Sequence, residues 1–204
     1  YGVLHDQVTA RVCVEYFTVG HEPILRTDSP TLLALGWGVI ATWWVGLILG
    51  VLAALVSRVG SWPKCNAGHL VLPIACLLIV TAVVSALAGT TGYQLAEAGG
   101  FSLPGPLGDR IPQQRHPLFF ADSLAHLAAY TVGALGGLIL CVRVLVQRRR
   151  AALAVHSARD GGATIDLLGR HWMVVISRST ARIIAVPLFA ILVLLIAGDG
   201  LPHP

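Results

Sequence analysis

The order of apolar and polar positions divides the chain into four greasy blocks joined by polar connections. Residues 31–57 read TLLALGWGVIATWWVGLILGVLAALVS, and residues 69–87 form a second block of the same character. Residues 123–146 make a third that stops at QRRR, and residues 183–198 make a shorter fourth interrupted by Pro187. A helix crossing a hydrocarbon core needs about 20 apolar residues, and membrane helices tolerate proline where neighbours re-satisfy the freed carbonyl. In TDSP, ahead of the first block, Ser29 fits a helix cap and Pro30 the first helical position. The pattern predicts an all-α polytopic membrane helix bundle with four transmembrane helices in a single membrane domain, residues 1–204. Residues 1–29 are then an extracytoplasmic segment, 88–121 an outer loop without regular structure, and 147–182 a basic cytoplasmic loop.

Composition supports this reading. The chain is 55% hydrophobic and only 12% charged, about half the charge of a soluble domain. Thirteen arginines against one lysine suggest a GC-rich genome, and with it a bacterial inner (plasma) membrane. The net charge of +4 follows from arginine-rich cytoplasmic loops, and no nucleic-acid motif accompanies it. Ten basic residues lie on the side of 58–68 and 147–182, and four (Arg11, Arg26, Arg110, Arg115) on the other. That split places the N-terminal segment and the C-terminus outside the cytoplasm. An outward N-terminal segment is most simply explained by a fifth apolar helix upstream, of which YGVLHDQ forms the last turns.

Topology sorts the chemistry. Cys13, Cys65, Cys76 and Cys141 share no oxidising compartment and contain no C-x-x-C, so disulfides and a cysteine metal site are not expected. Gly46-x-x-x-Gly50 and Gly133-x-x-x-Gly137 read as close bundle packing, and Trp43 and Trp44 as fillers of a gap in the bundle. The arginines of the segment from Arg148 to Arg182 are expected to meet anionic head groups.

Eight of the ten acidic residues fall on the outward side. Asp122 and His126, four apart at the start of the third block, share a helix face, with Tyr130 one turn deeper. Asp122 is placed to orient the imidazole, or else simply to cap the helix. The opening stretch adds His5, Asp6, Glu15 and His21 on the same side. Together, His5, Asp6, Glu15, His21, Asp122 and His126 are candidate ligands for a divalent transition metal, zinc, iron or manganese. The bland alternative is an ion-paired cap in which Arg11 neutralises Glu15 or Asp6. TARVCVEYFTV partly alternates and reads as an extended segment over the bundle mouth, with an interfacial helix as the alternative.

The string YGVLHDQVTARVCVEYFTVGH resembles the opening of an uncharacterised group of bacterial multi-pass membrane proteins. FFADSLAHLAAYTVG extends the likeness. In that group a similar string follows an N-terminal apolar helix, so the resemblance implies an upstream helix and carries over no activity. No phosphate-binding loop, dinucleotide fingerprint, nucleophile elbow or haem motif is present. The leading expectation is therefore an accessory or structural subunit of a membrane assembly, with the lipid bilayer and other membrane subunits as partners. The alternatives are a membrane-embedded metal-dependent enzyme with its site at the extracytoplasmic face, and a small-solute or proton-coupled transporter. The transporter is the weakest, since blocks one, two and four carry no mid-membrane charge.

Overall fold

A computed structural model describes residues 1–159. Over these the chain is helical, with no strand among the described residues. The elements are α1 (Gly2–Val12), α2 (Val14–Thr18), α3 (Pro30–Ile40), α4 (Trp43–Arg58), α5 (Gly68–Gly99), α6 (Gly105–Arg110), a 3₁₀ turn (Gln113–Arg115) and α7 (His116–Arg159). Three helical stretches are long and apolar enough to cross a membrane: Pro30–Arg58, Gly68–Gly99 and Gln113–Ser157. The fourth block, 183–198, and most of the basic loop lie outside the described residues.

The packing is inverted relative to a water-soluble bundle. On α5 the buried positions are Thr81, Ser85, Gly92 and Ala96, and on α7 they include Ala121, Ala125 and Ala129. The leucines, valines and isoleucines of the same helices face outward, as with Val83, Leu87, Leu138 and Ile139. Small residues inside and large apolar ones outside suit helices packing in lipid, where close backbone approach replaces the hydrophobic drive. Helices α5 and α7 form the most extensive pairing. Their seam is closed by the Ser85 hydroxyl, which donates to the Ala125 carbonyl at 2.7 Å, while Thr81 bonds back to Leu77 in its own helix.

The first block begins as expected. Ser29 Oγ accepts from the Leu32 amide at 3.5 Å, and Pro30 opens α3. The block then breaks at Ala41–Thr42, where the Thr42 hydroxyl bonds the Gly38 carbonyl and Tyr130 donates to the Ala41 carbonyl at 3.3 Å. Such back-bonding by threonine bends helices.

Several expectations change. TARVCVEYFTV lies mostly in two short helices, α1 and α2, the alternative to an extended segment, and these pack on α3 and α7. The outer loop is shorter than 88–121: α5 continues to Gly99 and ends at left-handed Gly100 (φ 61°), while α6 and the start of α7 occupy much of the rest. Neither G-x-x-x-G pair forms a contact as a unit. A Cβ on Gly46, Gly50 or Gly133 would meet open space, whereas Gly137 seats Leu49 and its neighbour Gly136 seats Leu77. Trp43 and Trp44 are exposed and fill no gap among the described helices. Arg148 also departs from the head-group expectation. It is buried and donates to the carbonyls of Val56, Val59, Trp62 and Pro63, closing the C-terminal end of α4.

Candidate metal centre

The position of the site follows from how α1 lies on α3. Gly38 has no room for a side chain: a Cβ there would stand 2.5 Å from the Val3 Cα. At the other end of α1, the Gln7 amide reaches the Thr31 carbonyl at 3.5 Å, and Arg11 bonds the Thr31 hydroxyl at 2.9 Å. Helix α1 therefore runs antiparallel to α3, its start level with Gly38 and its end level with Thr31. His5 and Asp6 sit between those levels, alongside the first candidate span and not above it.

From the other side α7 delivers His126. The three side chains His5, Asp6 and His126 each offer a donor atom, and these atoms all lie within 4.8 Å of one another. Asp6 and His126 are nearly fully buried. The Nδ1–H of His126 donates to the Asp122 main-chain carbonyl at 2.8 Å, which leaves Nε2 as the free nitrogen. That nitrogen stands 3.4 Å from Asp6 Oδ1. A charge-assisted N–H···O bond closes to about 2.7–2.9 Å, so 3.4 Å is long for one. By contrast, with zinc bonds of about 2.0–2.1 Å, adjacent corners of a tetrahedron stand about 3.4 Å apart. His5 Nε2 is buried and has no hydrogen-bond partner. Burial, and after it the neighbouring His126, lower the pKa of His5, so its imidazole is neutral with a lone pair to give.

Aromatic rings hold these groups in place. Tyr16 stacks on His126 with centroids 4.5 Å apart and planes 25° apart. His5 meets His126 edge-on at 4.6 Å, and Tyr1 stacks on His5 at 5.6 Å. Burial, followed by the charges of Asp122 and its neighbours, pushes the Tyr16 hydroxyl up, so it remains a proton donor.

The six sequence candidates thus separate. His5, Asp6 and His126 converge. Asp122 supports His126 through its backbone carbonyl, and its own carboxyl is buried with Oδ2 lacking a partner. Glu15 turns away to Arg115, which donates from Nε at 3.0 Å and from Nη2 at 2.9 Å. Burial alone would raise the Glu15 carboxyl, but the Arg115 guanidinium outweighs it and holds the pKa below its ordinary value. His21 bonds the Tyr16 carbonyl at 2.7 Å and lies against Trp37, within the aromatic layer. Cys13 donates weakly to Glu15 at 3.4 Å, and burial pushes its thiol up to about 12, so it is no thiolate ligand. His116 is a useful contrast. It is equally buried but accepts from the Leu103 amide and donates to the Ile111 carbonyl, leaving neither nitrogen free.

Sequence reasoning missed Tyr1, Tyr16 and Trp37 as walls. The signal was present for Tyr16, which sits beside the candidate ligand Glu15, but an aromatic residue in an apolar chain reads first as packing. Comparison with known proteins adds nothing to this geometry: no family model, curated protein or solved structure matches the chain.

Proposed function

We propose that this chain is an integral membrane enzyme that holds a divalent transition metal on His5, Asp6 and His126 and uses it in hydrolysis. The observation that supports this reading is the convergence of two imidazoles and an aspartate side chain in a buried space, one pair of them at a tetrahedral edge length. Three protein donors leave a fourth position open, which is the pattern of catalytic zinc sites. When bound, the metal lowers the pKa of a water there and makes hydroxide available near neutral pH. Held by His5, Asp6 and His126, the metal would supply the nucleophile for hydrolysis of a carbonyl or phosphoryl group. The chain's own part is orientation. Asp122 fixes the His126 tautomer, Tyr16 fixes its plane, and the aromatic layer keeps bulk water away. In this reading the arginine bias puts the site on the extracytoplasmic side of a bacterial inner membrane.

Metal analysis of the chain purified in detergent tests the proposal. Wild type should carry about one zinc, iron or manganese per chain, and His126→Ala or Asp6→Asn should lose it. Glu15→Gln and His21→Ala should keep it, because their side chains are committed elsewhere. A metal-free wild type that takes up none of the three ions removes the proposal.

The accessory-subunit reading draws on a different observation, the adjacent exposed Trp43 and Trp44 midway along the first span. A partner helix seated there would co-purify with the wild type and be lost on Trp43→Ala with Trp44→Ala.

A further inference from the structure

The Asp122 carboxyl has no part in building its own helix. Helix α7 starts at His116, so Asp122 stands in its second turn, past the open amides that a capping carboxylate serves. Its side chain is nonetheless enclosed: the residue is 1% exposed, and Oδ2 is buried without a partner. A carboxylate taken out of water is normally paired or set against a cation, because the charge alone is costly there. Among the described residues no arginine pairs with it. Arg115 is engaged by Glu15 through Nε and Nη2, and Arg11 reaches Gln7 and Thr31.

What lies beside Asp122 is the candidate metal centre. His126 follows one helical turn later, a spacing that sets Cβ atoms about 5–6 Å apart, and the Asp122 carbonyl holds the His126 ring at 2.8 Å. Tyr16, stacked on that ring, registers both carboxyls: after burial, the charge of Asp122 and more weakly that of Asp6 push its hydroxyl up. Asp122 is not among the donors that lie within 4.8 Å of one another, so it stands behind the ligands.

The charge count gives it a role. Metal-bound imidazoles are neutral, so a divalent ion on His5, Asp6 and His126 leaves one positive charge uncompensated. Asp122 brings the total to zero, which matters most where water is excluded.

We propose that Asp122 supplies the second negative charge of the metal centre, and that the neutral centre takes an uncharged acyl group, an ester or amide carbonyl, in preference to an anionic phosphoryl group. This rests on the metal reading above and adds a charge-balancing residue and the substrate class. A phosphoryl anion would add negative charge beside Asp6 and Asp122, with Arg115 already committed to Glu15. A carbonyl adds none.

The test uses the chain purified in detergent, with Co²⁺ as the metal, its visible spectrum as the readout and azide and inorganic phosphate as anionic probes. Wild type should bind both anions weakly. Asp122→Asn keeps the side-chain shape and removes the charge. It should weaken Co²⁺ binding about 10–100-fold and, at saturating Co²⁺, tighten azide binding about tenfold. Without metal it should be at least as stable as metal-free wild type, since it no longer buries an unpaired carboxyl. A merely structural Asp122 gives the reverse: lower stability without metal and an unchanged azide affinity. If Asp122→Asn does not purify folded, Asp122→Ser is read by the same measurements, and loss of the fold in both assigns Asp122 to structure and overturns the proposal. Azide affinity that does not rise on substitution also overturns it, as does tight phosphate binding by wild type. Failure of the wild type to take up Co²⁺ overturns instead the metal reading on which the charge count depends.

Discussion

The two ends of this bundle are held together by different means. At the end where α1, α2 and α3 meet the start of α7, side chains interlock across elements. Phe17, Leu33, Ala34 and Trp37 form one buried cluster, and Cys13, Ile111 and Phe119 another. Long-range polar contacts overlie both. At the other end α4, α5 and α7 meet through glycines and alanines, large side chains face outward, and one buried arginine clamps the turn after α4. Polar atoms that are buried without partners follow the same division. Two of the three among the described residues, His5 Nε2 and Asp122 Oδ2, lie at the candidate site, and only Ser57 Oγ lies at the far end. A tightly packed unit that still leaves a nitrogen and a carboxyl oxygen unmatched is the observation on which the metal proposal stands. The far end carries its large apolar side chains on the outside, as helices long and apolar enough to cross a membrane do.

The sharpest way to break the far end is Arg148→Ala. It strips four carbonyls of their donor in a buried place, and hydrogen bonds from charged groups contribute about 1.5–3 kcal/mol each at most. A net loss of about 3 kcal/mol in detergent unfolding is expected, with metal content unchanged. If metal content falls with stability, the two ends are not independent.

Next in size is Gly38→Ala, which forces a methyl group against the α1 backbone. Overpacking of this kind costs about 1–3 kcal/mol. Because it displaces α1, it should weaken metal binding as well as lower the unfolding midpoint. Loss of stability without loss of affinity would show that α1 does not position the ligands.

A smaller effect is expected from the Glu15–Arg115 pair, since both side chains are partly exposed. Glu15→Gln should cost about 1 kcal/mol, near the upper end for such pairs. The same contribution should depend on pH. Glu15 has a folded pKa below its unfolded value of 4.5, so its stabilisation is complete above that value and disappears as pH falls through the folded pKa. Unfolding midpoints of wild type and Glu15→Gln should therefore converge on acidification below about pH 4.5 and stay apart above it. A gap that persists in acid would assign the effect to packing.

The smallest effects should come from Gly46→Ala and Gly50→Ala. Nothing lies within 4 Å of a Cβ at either position, so the change should stay within about 0.5 kcal/mol. A large loss on either substitution would reveal a contact in the membrane that the described residues do not make.

Some of this was readable without a fold. Hydropathy located three of the spans, since a run of apolar residues has one stable environment wherever its neighbours lie. Ser29 and Pro30 marked the start of α3 because capping is a local matter. The i, i+4 spacing placed Asp122 and His126 on one face of α7.

Distance between those groups was not readable. Nothing in the sequence separates Glu15, which meets an arginine one hundred residues away, from Asp6, which meets a histidine. His116 and His126 both fall on the outward side by sequence, yet backbone groups satisfy both nitrogens of one and only Nδ1 of the other. The reach of α5 and α7 was likewise hidden: both continue beyond their apolar runs, α5 to Gly99 and α7 to Arg159, the last described residue.

The sequence by itself determined the class of protein and which residue types were available for chemistry, because hydropathy and helix periodicity act over a few turns. Only the tertiary structure decided that α1 lies beside the first span. The reason is a backbone contact that glycine at position 38 permits, and no local pattern encodes which helix will fill it. That one packing choice brings His5 and Asp6 down to His126 and turns a scatter of polar residues into a candidate site.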